Sequence, residues 1–211
     1  MDNQEERIAL EPRRIPTQER SRQRVDGILD AVAGLLVERG FDAVTTDLIA
    51  EKAGIPVGSI YQFFPNKFAI FYALAIRYIR QINAIASIPA RRESLDLPWE
   101  EVVDRTLDAE AQLWSNEKAL SILWAGIQNA PELKAAVAES DKKSEEYLLT
   151  GLNRILPNVD PARRRLAARV IVHVTRFLLD LSITRSKEEN EQVVQELKVV
   201  VKSYLRTLMS T

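Results

Sequence analysis

Residues 53–67, AGIPVGSIYQFFPNK, constrain this chain more than any other stretch. Gly54, Gly58, Pro56 and Pro65 would break a buried helix. Tyr61, Phe63 and Phe64 have no place in a solvated loop. Gly54 follows the short helical pattern TDLIAEKA, where a left-handed residue ends a helix at little cost. Thr45-Thr46-Asp47 offers that pattern an N-cap and an acid in the first turn. Ile55 plugs the turn, and Pro56 fixes φ where the next helix begins. VGSIYQFF then reads as a very short helix with Ile60 and Phe64 on the core face. Val57, Gly58, Ser59, Tyr61, Gln62 and Phe63 fall on the outside. Pro65 ends it, Asn66 caps the following helix, and Lys67 lies in that helix's first turn. Two turns cannot hold alone in water, so the short helix must be presented by its neighbours. The pattern is a helix-turn-helix. Gly58 and Ser59 are small enough for another surface to approach the backbone. Tyr61 and Lys67 can reach phosphate oxygens, and Gln62 can bond a base edge.

The rest of the chain is helical almost throughout. Val25, Ile28, Leu29, Val32, Leu35 and Leu36 recur at three- and four-residue steps between Thr17 and Gly40. A further helix is expected from Asn66 to about Ile85, followed by a Pro- and charge-rich linker over 87–98. Five more helical patterns follow, over 99–115, 118–129, 131–156, 161–185 and 187–209. The expected fold is all-α with about nine helices. The domains expected are a flexible basic arm over 1–16, a three-helix DNA-binding domain over 17–83 and a helical regulatory and dimerisation domain over 84–211.

Composition excludes several functions. None of the 211 residues is cysteine, which removes disulfides, thiolate metal sites and thiol catalysis and fits a reducing cytoplasm. The single histidine, His173, cannot build a multi-histidine metal site. No Gly-rich phosphate loop or catalytic constellation is present, so an enzyme is not expected, and neither is a cofactor. No stretch is apolar enough to cross a membrane. The net charge of −1 is unevenly laid out. Arg13, Arg14, Arg20, Arg22 and Arg24 face only Glu19 over residues 13–24, which suggests a polyanionic partner.

TTDLIAEKAGIPVGSIYQFFPNKFAIFYAL resembles the DNA-binding region of TetR-family transcriptional regulators. Thr45-Thr46, Ile49-Ala50, Ala53-Gly54-Ile55, Gly58-Ser59, Tyr61, Phe64 and Lys67 occupy the family pattern without a gap. Pro56 stands where the family often has a serine, and Phe68 where an acidic residue commonly follows the lysine. The resemblance implies a homodimer that binds a palindromic operator on double-stranded DNA, most often as a repressor, with an effector in the C-terminal domain. The expected DNA-contacting residues are Arg20, Arg22, Thr45, Thr46, Val57, Gly58, Ser59, Tyr61, Gln62, Phe63 and Lys67.

The C-terminal half supports two readings of its polar and aromatic residues. Trp114 and Trp124 either fill the core or line a pocket for an apolar small molecule, together with Phe177. Arg169, His173, Arg176 and Asp180 form a polar stripe. It is either a seam, with Arg176 and Asp180 paired, or a site at which His173, Arg176 and Gln128 orient an effector. The last helix is apolar nearly all round, so burial on more than one side is expected, with Leu197, Val201, Tyr204 and Leu205 at a two-fold interface. The rival function is a helical protein-binding adaptor, or an activator without a small-molecule effector. An adaptor would not need the arginine arm, Gly58-Ser59 or Lys67.

Overall fold

The computed structural model describes residues 9–13, 18–182 and 186–210. Most of the expected arm over 1–16, with Arg14 and Pro16, lies outside the described residues. Nine α-helices stand among those described: α1 (Glu19–Arg39), α2 (Thr46–Ala53), α3 (Val57–Tyr61), α4 (Lys67–Ala86), α5 (Trp99–Asn116), α6 (Lys118–Gln128), α7 (Pro131–Ile155), α8 (Pro161–Ser182) and α9 (Lys187–Met209). No described helix is long and apolar enough to cross a membrane.

The chain forms two compact units, and the division falls within α4 and within α7. The first holds the residues up to Tyr78 together with Lys118–Ala138. Beside the residues of the expected N-terminal domain up to Tyr78, this unit takes in α6, which lies far along the chain from 17–83. α1 packs against both α2 and α6. The apolar periodicity of α1 explains this, since Ile28, Leu29, Val32, Leu35 and Leu36 are all buried. On α6, Leu120, Leu123, Trp124 and Ile127 are buried in turn. Gly126 is required by close approach: a Cβ there would lie 2.1 Å from the Phe41 ring. Phe41 also meets Phe71 of α4, with ring centroids 4.6 Å apart.

The second unit comprises Ile79–Glu117 and the chain from Glu139 onward. Its α5 packs on α8 and α9. Residues four apart on each helix form a ladder of ion pairs across the α5–α9 seam. Lys198 Nζ lies 2.6 Å from Asp108, Lys202 Nζ 2.8 Å from Asp104, and Arg206 3.8 Å from Glu100. α9 starts with a reciprocal capping box: Ser186 Oγ accepts from Glu189 N–H and Glu189 Oε2 from Ser186 N–H, both at 3.2 Å. The stretch 87–98, expected to be a linker, is folded. It carries two 3₁₀ turns, Ile88–Ala90 and Arg92–Ser94. Ser94 is buried, its Oγ donates to Ile88 O at 2.7 Å, and its carbonyl accepts from Arg154 at 3.0 Å. Proline and charge here mark a turn with its polar groups satisfied.

Candidate nucleic-acid interface

The short helix α3 is held by the turns on either side of it. Thr45 Oγ1 accepts from Leu48 N–H at 3.3 Å and caps α2. α2 ends at Gly54, whose φ of 66° and ψ of 31° are left-handed. A side chain would make that conformation costly. Ile55 N–H then bonds back to Ala50 O at 3.1 Å, which closes the turn. Pro56, at φ −59° and ψ 140°, starts α3 from extended backbone.

α3 covers only Val57–Tyr61, shorter than the expected span through Phe64. The chain tightens at its end, where Phe63 and Phe64 N–H both reach Ile60 O at 2.9 Å. The helical period therefore stops at Tyr61, and both phenylalanines turn inward. Phe63, expected on the outer face, is only 5% exposed. Ile60 and Phe64 are buried, as expected. Val57, Gly58, Tyr61 and Gln62 are exposed, and Ser59 is half-buried. Together they form a small, uncharged outer surface one short helix long.

Two contacts fix the edges of this surface. Tyr61 Oη and Thr46 Oγ1 are 3.2 Å apart, so the phenol is tied to the start of α2. Lys67 turns its ammonium back to Val44 O at 3.3 Å, in the loop before α2, and sits 5.5 Å from the Phe68 ring centroid. Its first role is thus to hold that loop, and only its remaining N–H bonds are open to a phosphate. Arg20 and Arg22 stand exposed on the first turn of α1. Asn66 Oδ1 accepts from Ala69 N–H at 2.9 Å and caps α4.

The residues expected around an effector are divided between the two units. Trp114 is buried in the second unit, whereas Trp124 is buried in the first. Gln128 is exposed at the end of α6, and Phe177 is 68% exposed on α8. His173 Nε2 and Arg169 Nε share the Glu145 carboxylate of α7, at 3.8 and 3.3 Å. Arg176 acts instead on Glu110 of α5. Burial pushes the Glu110 carboxyl up to about 7, and the Arg176 charge pulls the other way. Burial also raises the Asp180 carboxyl. The second unit does hold an apolar cavity, of about 40 Å³, between α5, α7, α8 and α9. Trp99, Val102, Leu152, Ile171, Val201 and Leu205 are among its walls, and Arg154 is its charged neighbour. None of the six expected ligand residues lines it.

The expected interface residues also move inward. Leu197, Val201 and Leu205 are buried within the single chain, at 0%, 4% and 1% exposure, and Tyr204 is half-buried. The reason is that α5 and α8 claim that face of α9. Among the described residues, the large apolar side chains left outside are Leu166, Val170, Phe177 and Leu181 on α8, with Val199, Val200 and Met209 on α9. The α8 set recurs at four, seven and four residues, a stripe that a helical wheel separates from the buried one.

The profile described as "Bacterial regulatory proteins, tetR family" matches residues 28–74, and "Tetracyclin repressor-like, C-terminal domain" matches residues 98–205. The HTH-type transcriptional repressor KstR of Rhodococcus jostii is 31% identical over 75 residues, covering 36% of this chain and 35% of the relative. The uncharacterised HTH-type regulator YdeS of Bacillus subtilis is 47% identical over 55 residues, covering 24% of this chain and 28% of the relative. The chain thus spans only about a third of the length of these curated relatives. Among solved structures, a TetR-family regulator from Streptomyces coelicolor is 26% identical, with a TM-score of 0.63 over 88% of this chain and 99% of that one. Salmonella enterica GusR shares the fold at 16% identity, with a TM-score of 0.73 over 92% of this chain and 99% of that one.

Proposed function

Because this chain belongs to the TetR family of transcriptional regulators, we propose that it represses genes by binding a palindromic operator as a homodimer and releases it when a mainly apolar small molecule binds. The observation that carries the reading is the outer surface of α3. A helix of five residues is held by a capped helix, a left-handed glycine and a proline, and it turns small and uncharged residues outward. Such a helix contributes little to its own stability. Its use is to enter a major groove, where Gln62 reads a base edge while Tyr61, Thr46, Arg20 and Arg22 meet phosphates. Two copies would have to meet successive grooves, about 34 Å apart.

The exposed stripe on α8 and α9 supports dimerisation through those helices, with Phe177 near its centre. The cavity in the second unit supports an apolar effector, since its walls named above are hydrocarbon apart from Arg154 and the indole N–H of Trp99. At about 40 Å³ it is far smaller than the roughly 300 Å³ of a small-molecule site, so an effector would have to spread α5, α7 and α8. A coupling of about 1–3 kcal/mol would weaken operator binding roughly 5- to 150-fold.

The test is selection of binding sites from a random double-stranded DNA pool by the full-length protein. An enriched inverted repeat is expected. Gln62→Ala should then alter the preferred bases at one position of each half-site, while Arg22→Ala should weaken all sequences alike. If selection returns no enriched sequence, and binding to random DNA is indifferent to salt, the DNA-binding reading is wrong.

A further inference from the structure

Ala9–Arg13 reads in sequence as part of a loose basic arm, but two hydrogen bonds hold it against the loop that follows α3. Arg13 N–H donates to Phe63 O at 2.8 Å, and Asn66 Nδ2 donates to Ala9 O at 3.0 Å. The segment therefore runs antiparallel to residues 63–66, over a span of at most about 14 Å. Arg13 is exposed, and its Nη1 lies 3.5 Å from Tyr61 O at the end of α3. Its guanidinium is thereby placed beside Tyr61 and Gln62, two exposed residues of the α3 surface.

Asn66 makes a contact that its capping role does not require. The cap on α4 needs only a side-chain acceptor, which Oδ1 supplies to Ala69 N–H. The amide Nδ2 is spent on the arm instead. Aspartate would cap α4 but has no donor for Ala9 O, and serine, whose hydroxyl sits one bond nearer the backbone, would cap α4 but fall short of Ala9 O. The Phe63 carbonyl is likewise available because the chain leaves the helix at Tyr61.

We propose that residues 9–13 form a docked arm that sets the Arg13 guanidinium against a DNA phosphate next to α3, with Asn66 as the positioning residue that docks it. This rests on the DNA-binding reading above. Arginine carries five N–H donors in a planar fork that matches two phosphate oxygens, and the carbonyl of Tyr61 engages at most one of them. Docking confines the side chain beside α3 before DNA arrives, so less freedom is lost on binding.

The experiment measures affinity of the full-length protein for the DNA selected above, by fluorescence anisotropy over a salt series. The variants are Arg13→Ala, Arg13→Lys, Asn66→Ser and the double variant. Arg13→Ala should weaken binding about tenfold and lower the slope of log affinity against log salt by about one per bound protomer. Arg13→Lys should keep the slope, because the charge remains, and lose part of the affinity. Asn66→Ser keeps the cap and should match Arg13→Ala in affinity with an unchanged thermal midpoint. In the double variant, Asn66→Ser should add nothing to Arg13→Ala. An unchanged affinity and slope in Arg13→Ala overturns the proposal while leaving the DNA-binding reading intact. So does an Asn66→Ser loss that persists undiminished in the Arg13→Ala background, since Asn66 would then act through α4. A wild-type protein that selects no sequence and whose binding to random DNA is indifferent to salt takes both readings down.

Discussion

Among the described residues, Glu110 is a half-buried acid whose carboxyl is pushed well above its free value. Burial raises its carboxyl from 4.5 to about 7, against the pull of Arg176. The folded chain therefore holds this proton more tightly than the unfolded chain does. Below pH 4.5 both states are protonated and the neutral carboxyl costs nothing extra. As pH rises towards about 7 the unfolded state alone loses the proton, so stability falls, and above that window it is flat. The loss is about 3 kcal/mol at most. Glu110→Gln should remove most of this slope and raise the thermal midpoint above pH 7, as followed by circular dichroism from pH 5 to 8. Asp180, also raised by burial, leaves a residual slope of the same sign. A Gln variant whose midpoint still falls across that range as steeply as wild type would show that Glu110 is solvated. The sequence names Glu110 only as one acid among thirty. What isolates it is burial beside Arg176, a tertiary fact.

Among the elements, α6 depends most on a single close approach. Its sequence, KALSILWAGIQ, reads as an ordinary amphipathic helix, and the glycine would be taken for a weak spot. The structure gives that glycine a purpose, because the Phe41 ring occupies the space a side chain would need. Gly126→Ala should therefore destabilise the protein by about 1–3 kcal/mol, despite alanine's better helix propensity. Urea denaturation is the check, and Phe41→Leu in the same chain should return part of the loss. A Gly126→Ala protein as stable as wild type would mean that α6 is free to shift along α1. α3 shows the opposite balance. Its position, its caps and its buried Ile60 were legible, because glycine and proline act through local backbone geometry. Its end was not: no local signal told that the backbone tightens after Tyr61, where Phe63 and Phe64 N–H both return to Ile60 O, and carries Phe63 inside.

At the scale of the whole molecule, the proposed self-association rests on which side of α8 and α9 remains uncovered. The sequence points to these two helices but not to their outer faces. Phe177→Glu should yield monomers with unchanged helicity in light scattering and circular dichroism, and should abolish tight operator binding by removing the second recognition helix. Leu197→Glu should instead unfold the second unit, since it would bury a charge at a position of 0% exposure. A Phe177→Glu protein that remains dimeric at micromolar concentration would move the interface elsewhere.

The sequence by itself determined the all-α class, the boundaries of most helices to within a residue or two, the helix-turn-helix and the family. These follow from apolar period, from caps and from the few residues that tolerate or forbid particular backbone angles, all of which act over a handful of neighbours. Only the tertiary structure decided which apolar faces of α8 and α9 are inside. It put Val201 and Leu205 in the core and Phe177 outside, assigned Trp114 and Trp124 to different units, grouped α6 with the N-terminal helices, and folded the stretch before α5 into packed turns. The physical reason is that an apolar stripe records a demand for burial without naming the partner that meets it. Long-range partners such as Phe41 and Gly126, or Ala9 and Asn66, leave no local trace in the chain.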